Sequence, residues 1–297
     1  MKTDNAQLTA FAAVLSEGTF DLAARKLAVT PSAISQRIKL LEDRLGQVLI
    51  RRTTPCQTTS AGSILLRFAE EVALLETEML AELGVKMGNA PGAVRLPIVV
   101  NADSLDTWFG DVFKSVAMDG SITLDVRTED QDHSVALLRE GTVMAGVSAS
   151  SEPIQGCRVE PLGIMRFLAV ASPDFTSNYF AEGVNTKSLN AAPMLMYNRK
   201  DALQGVFAAR LIEMAISPPT HMIPSTHSFF EAARSGLAWG MMPEQIVGRA
   251  IDSGELRQIA PDHWLDVPLY WHRWRIGSKA LDSISRMSHE AARKALR

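Results

Sequence analysis

Five side chains between positions 32 and 39 could together read a nucleic-acid duplex. Ser32, Ser35, Gln36, Arg37 and Lys39 put short polar groups near the start of a helical run and cations further along. A helix lying in the major groove needs polar groups for base edges and cations for phosphates in that order. Gln36 can pair in bidentate fashion with adenine, and Arg37 can serve guanine or the backbone. The plainer role for each is a solvated polar helix face. Two turns further along the chain offer a second kind of chemistry. Asn101-Ala102-Asp103-Ser104 and Pro224-Ser225-Thr226-His227-Ser228 each stand before a helix-like stretch, where the first N–H groups are free to receive an anion. Ordinary capping is the alternative there, and the two roles are compatible, because a cap hydroxyl can also face a cleft.

These groups need elements to hold them. Leu8, Phe11, Ala12, Val14 and Leu15 predict a first helix, broken at Glu17-Gly18-Thr19; Thr19 or Asp21 caps a second that carries Leu22, Ala23 and Leu27. Pro31 suits a first helical position, and Ile34, Ile38, Leu41 and Leu45 continue at helical spacing to Leu45. So short a turn between two helices predicts a helix-turn-helix. Val48 to Ile50 reads as a strand and Arg51 to Pro55 as a wing. From Ala61 to Met87 one long helix is expected, in which Leu65, Phe68, Val72, Leu75 and Met79 alternate three- and four-residue steps as a dimer seam. Packing on its own domain is the alternative for that face. Gly88 to Gly92 reads as a linker.

Beyond it, strands (96–100, 122–126, 143–147) alternate with helices (104–118, 135–140), and a similar set follows. The second set has strands near 167–171, 193–197, 222–223 and 237–242, with helices over 202–216 and 228–235. A strand at 268–271 and a helix from 278 close the chain. That alternation predicts a parallel α/β sheet with crossover helices and a ligand crevice at the carboxyl ends of its strands. Ser148 and Asn198, each just after a strand, could add neutral polar contacts. The aromatic run Tyr270 to Trp274 reads as a core strand with His272 and Arg273 turned outward.

At 297 residues, with 46% apolar and 21% charged side chains, the chain is long enough for two or three folded units. Its net charge of −3 is unevenly spread: residues 1–62 carry eight Lys/Arg against five Asp/Glu, whereas 63–90 are net acidic. A basic head on an acidic protein suits a local phosphate-binding surface. Cys56 and Cys157 have no zinc or redox spacing, which fits a reducing compartment, and no signal peptide or membrane-length apolar run is present, so a cytoplasmic protein is expected. Cys56, after the wing, is more simply an incidental thiol than a redox switch. Nucleophile-elbow, phosphate-loop and zinc-helix motifs are missing, which argues against an enzyme. The six histidines form no metal-ligand pair on one helix. No metal or prosthetic cofactor is expected.

The chain resembles the LysR-type transcriptional regulators over essentially its whole length. The most specific stretch runs from Ala23 to Glu42, followed by Leu45-Gly46 and Leu49-Ile50-Arg51-Arg52. Segments Val100 to Leu105, Thr107-Trp108-Phe109, Leu162-Gly163, Gly236 to Gly240 and Tyr270 to Trp274 are similar to the branch that responds to lysine and arginine and controls basic amino acid export or metabolism. The resemblance implies a winged helix-turn-helix at 1–62 and a linker and dimerisation helix at 63–90. At 91–297 it implies a periplasmic-binding-protein-like two-lobed α/β effector domain, with lobe I near 94–165 and 267–297 and lobe II near 166–266. It implies DNA contacts from Thr30, Pro31, Ser32, Ser35 and Gln36, with Arg52 and Thr53 in the wing. Promoter DNA, a small-molecule effector and further copies of the chain (dimer or tetramer) are the implied partners, with RNA polymerase a further candidate. Effector contacts are expected from Asp103, Ser104, Thr107, Glu129, Asp130, Ser148, Asn198, Ser225, Thr226 and His227. A cationic effector needs acceptors, and Asp103, Glu129 and Asp130 are acids at strand ends. His227 stands where the branch carries an acid, and a neutral imidazole cannot pair with a guanidinium as a carboxylate can. A different amino acid or an organic acid is therefore the alternative effector.

Overall fold

The first helices are bounded as their sequence dictates. The computed structural model describes residues 4–85, 93–128, 134–212 and 215–297. Helix α1 (Asn5–Glu17) is capped by the Asp4 carboxylate and stops at Gly18, whose φ of 77° is left-handed. Helix α2 (Phe20–Lys26) starts from the Thr19 hydroxyl, and α3 (Pro31–Leu45) from that of Thr30, with Pro31 in its first turn and Gly46 at φ 64° behind it. The wing is the hairpin β1 (Ile50–Arg51) and β2 (Gln57–Thr58). Leu8, Phe11, Val14, Ile34, Ile38, Leu41 and Leu49 form the core of this head.

Helix α4 (Ser60–Glu82) leaves the wing with Gly62 against the Leu49 carbonyl, a contact that has no room for a Cβ. The expected seam on α4 splits between two faces. Leu65 is buried and belongs to the head core, while Phe68, Leu75 and Met79 are 43%, 43% and 51% exposed and Val72 is half-buried. Ile64 and Leu83, both exposed, extend the outward stripe instead. Leu74, on another face, packs into the core of the domain that follows. Two polar clamps hold α4 there. Arg67 donates to the carbonyls of Gln155 (2.7 Å) and Gly156 (2.6 Å) and lies over Trp274, and Glu78 accepts from the Ser278 hydroxyl (2.6 Å) and the Ala280 amide (2.9 Å).

The large domain contains β3 (Val94–Val100), α5 (Ala102–Leu105), α6 (Phe109–Asp119), β4 (Ile122–Thr128), α7 (Ser134–Glu140) and β5 (Ala145–Ser148). Then come β6 (Cys157–Ala171), α8 (Pro173–Tyr179), α9 (Thr186–Ala191), β7 (Met194–Met196), α10 (Leu203–Leu211), β8 (Thr220–Met222) and α11 (Thr226–Arg234). The chain closes with β9 (Gly240–Pro243), α12 (Glu244–Asp252), β10 (Arg257–Gln258), β11 (Trp264–Trp274) and α13 (Lys279–Ala295).

The sheet is mixed, where the sequence predicted a parallel one. Strand β3 pairs in parallel with β4 and β5, but β11 runs antiparallel to both β5 and β6, and β9 and β10 run antiparallel to β6. The long strands β6 and β11 pair from Cys157 with Trp274 to Leu168 with Trp264, and so continue one sheet through both lobes. The single helix expected over 104–118 is two, α5 and α6, separated at Asp106 to Trp108.

His272 and Arg273 do not turn outward. Both are buried, because β11 lies between β5 and β6 and is covered by α13. His272 Nε2 meets the Ser150 carbonyl at 2.8 Å, and Arg273 reaches Asp282 (2.6 Å) and the Ser285 hydroxyl. Burial holds the His272 imidazole below its usual value.

Candidate functional site

On α3 the apolar side chains Ile34, Ile38 and Leu41 are buried, so the positions between them face out. Pro31, Ser32, Gln36 and Lys39 are exposed, and Ser35 and Arg37 are half-buried beside them. Ser32, Gln36 and Lys39 follow one another at steps of four and three, which puts them on one face of the helix. Thr30 caps α3 through Ala33 and its hydroxyl also meets that of Ser32 at 2.9 Å, so the N-terminal end is held rigid. Arg52 is exposed in the wing with its guanidinium 5.0 Å from the Phe20 ring centre, and the Thr53 hydroxyl donates to the Pro55 carbonyl. The face therefore presents fixed polar groups on α3 and a cation on the wing.

The second site is a cavity of about 430 Å³ between the two lobes. Lobe I contributes Asn101, Ala102 and Asp103 at the carboxyl end of β3, and Thr128 at that of β4. Lobe II contributes Tyr197, Asn198, Lys200 and Asp201 after β7, Thr226 and Phe229 of α11, and Met241 to Pro243 of β9. Of the residues expected from sequence, Asp103, Asn198 and Thr226 meet around this cavity. Ser225 caps α11 through the Ser228 amide, and Ser148 is buried on β5 and accepts from the Ser150 amide. Ser104 is buried beneath the cavity wall, and the Thr107 hydroxyl donates back to the Asp103 carbonyl. His227 is exposed, near Glu231 on the same helix, and does not line the cavity. Glu129 and Asp130 lie outside the described residues.

The electrostatics of the cavity centre on Asp103. Burial pushes its carboxyl up to about 7, and the charges of Asp201 and Asp106 add to the effect. Nearby, Asn101 is almost wholly buried with neither side-chain atom hydrogen-bonded, and the buried Thr226 hydroxyl likewise has no partner among the described residues. Polar groups left so in a closed space are ordinarily satisfied by a ligand or by water. Asp201 and Lys200 were not singled out from the sequence, and Asn101 entered only as the first residue of the turn before α5. Asn101 ends an apolar strand, and Asp201 stands two residues before α10 in the position of a turn-forming Asp, so both carried a local signal, but nothing local joined them to Asp103.

The helix-turn-helix residues 6–63 match the family described as "Bacterial regulatory helix-turn-helix protein, lysR family", and residues 117–293 match the "LysR substrate binding domain". The chain belongs to the LysR family. Among its relatives, the HTH-type transcriptional regulator LysG of Mycobacterium tuberculosis is 47% identical over 290 residues, covering 97% of this chain and 93% of that one. The crystal structure of ArgP from Mycobacterium tuberculosis superposes with a TM-score of 0.89 at 46% identity, covering 100% of this chain and 99% of that one. The full-length LysG of Corynebacterium glutamicum with bound effector Arg superposes with a TM-score of 0.81 at 37% identity, over 99% of this chain and 100% of that one. This LysR-family chain thus shares its whole architecture, head, long helix and two-lobed domain, with full-length relatives. No described helix is long and apolar enough to cross a membrane.

Proposed function

We propose that this chain is a cytoplasmic transcriptional regulator whose interlobe cleft senses arginine or lysine and which controls the export or metabolism of basic amino acids. Residues 1–62 read promoter DNA, with Ser32, Ser35, Gln36 and Lys39 toward bases and phosphates and Arg37, Arg52 and Thr53 toward the backbone. Residues 63–90 join two protomers through the outward stripe of Phe68, Val72, Leu75 and Met79. Residues 91–297 hold the effector. The protein works as a homodimer or as a tetramer made of two such dimers, and RNA polymerase is its onward partner.

One observation carries the effector reading: Asp103 is an acid without a hydrogen-bond partner among the described residues, set in the wall of the interlobe cavity. A half-buried, desolvated carboxyl of that kind favours a cationic guest, because the pair restores by attraction what desolvation removes. The arginine-bound relative shares this fold over nearly the full chain. The departure at His227 bears little on it, since that side chain is exposed outside the cavity. Titration calorimetry of the full-length protein with arginine, lysine, leucine and glutamate tests the reading. Arginine or lysine is expected to bind at micromolar to low millimolar concentration while leucine and glutamate stay silent; binding of glutamate alone would overturn it.

A further inference from the structure

The cavity brings together two aspartates from opposite lobes, and they are held in opposite ways. Asp201, in the turn after β7, accepts from the Tyr197 amide (2.8 Å), the Leu203 amide (3.1 Å) and the Gln204 side-chain amide (3.2 Å), so its carboxylate is fixed in place by donors. Asp103, in the short helix after β3, has no such donor among the described residues, although burial raises its carboxyl. The charged groups that face Asp103 are Asp201 from lobe II and Asp106 on its own segment; Lys200 lines the cavity but is exposed. Negative charge thus predominates at Asp103. An independent sign that a polar guest belongs here is Asn101, whose buried amide offers a donor and an acceptor at the same wall and meets neither.

We propose that Asp201 is the specificity-determining acid contributed by lobe II: with Asp103 it brackets the distal cation of the effector, and that cation enters by displacing a proton from the cleft. The inference rests on the reading of this cavity as the site of a cationic amino acid. In the empty protein near neutral pH the Asp103 carboxyl is partly protonated, because burial raises it to about 7 and the charges of Asp201 and Asp106 add to the effect. Arrival of an ammonium or guanidinium stabilises Asp103 as a carboxylate, its O–H proton passes to the solvent buffer, and no bond of the ligand changes. Because one acid sits on each lobe, the cation is held fully only when both lobes contact it. Asn101 is placed to receive the other polar end of the same molecule.

Titration calorimetry of the full-length protein with L-arginine in phosphate, HEPES and Tris buffers reads the proton directly. With Asp103 near 7, about half a proton should leave per site at pH 7, falling toward none at pH 9, and arginine affinity should fall by up to about tenfold for each pH unit of decrease below pH 7. Asp103→Asn should abolish the buffer dependence. Asp201→Asn should weaken arginine at least tenfold while leaving citrulline, its uncharged analogue, unchanged; the same two variants report from opposite lobes, so misfolding of one does not remove the test. Arginine that binds with equal heat in all three buffers and with equal affinity to Asp201→Asn overturns this inference alone. Failure of both arginine and lysine to bind the unmodified protein overturns the reading beneath it as well.

Discussion

In the head, the outward groups of the α3 face come from a single 15-residue helix whose opposite side is locked by Ile34, Ile38 and Leu41. In the regulatory domain, the cleft draws on segments scattered from Asn101 to Pro243, brought together only when β6 and β11 carry one sheet through both lobes. A surface made by one helix inherits its geometry from local periodicity. A cavity made by several turns inherits its geometry from the whole core. The two regions should therefore fail separately, and the helix that joins them, clamped at Arg67 and Glu78, is where any dependence between them must pass.

The largest effect is expected from the core of the head. Phe11→Ala removes a fully buried ring and should cost about 3–5 kcal/mol, unfolding the head at ordinary temperature. DNA binding by fluorescence anisotropy should disappear while calorimetric binding of arginine persists. Loss of both would show that the two regions are one cooperative unit. Next, Leu75→Glu together with Phe68→Glu should raise the dimer dissociation constant by roughly 100-fold, about 2.7 kcal/mol, measured by sedimentation. Leu65→Ala should instead destabilise the head and leave association intact, because Leu65 packs inward. Equal effects on association from Leu65 and Leu75 would erase that division of the helix.

Arg67→Met tests the joint itself. It removes two charge-assisted bonds to the Gln155 and Gly156 carbonyls and should cost about 1.5–3 kcal/mol of regulatory-domain stability by thermal melting, with arginine affinity unchanged. The smallest effect is a pH dependence. Asp103 titrates higher in the folded protein than in the unfolded chain, so its contribution is fully present below about pH 4 and is lost as pH rises through about 7. Asp103→Asn should accordingly melt a few degrees above the unmodified protein at pH 8 and equal to it at pH 4. The reverse order at pH 8 would mean that Asp103 is ionised and paired in the empty cleft.

The head was legible because its rules are local: Thr30 before Pro31, Gly18 and Gly46 after helices, and apolar residues at helical spacing. The turns that open toward the cleft were legible for the same reason, at Asp103 and Thr226. Asp201 was not, since its role depends on a partner nearly a hundred positions away in sequence and on the opposite lobe. The burial of His272 and Arg273 escaped for a related reason. Consecutive residues of β11 point to opposite faces of the sheet, and both faces are covered: Arg273 lies on the α13 side with Asp282 and Ser285, and His272 on the other side meets the Ser150 carbonyl. Antiparallel pairing of β6 with β11 joins segments about a hundred residues apart, and no turn signal reports it. Leu65 and Ile64 differ by one position on α4 and by a full change of side, a distinction that depends on where the head sits against the helix.

Hydroxyl-radical footprinting on a duplex selected from random sequences by the full-length protein, with and without saturating L-arginine, tests most directly that this chain couples a DNA-reading head to a cation-binding cleft. A defined protected site is expected, whose extent changes with arginine or lysine and stays the same with citrulline. Gln36→Ala should lose roughly 1–3 kcal/mol of discrimination at one base pair of each half-site. A footprint that forms but is indifferent to both basic amino acids, or that responds equally to citrulline, would contradict it.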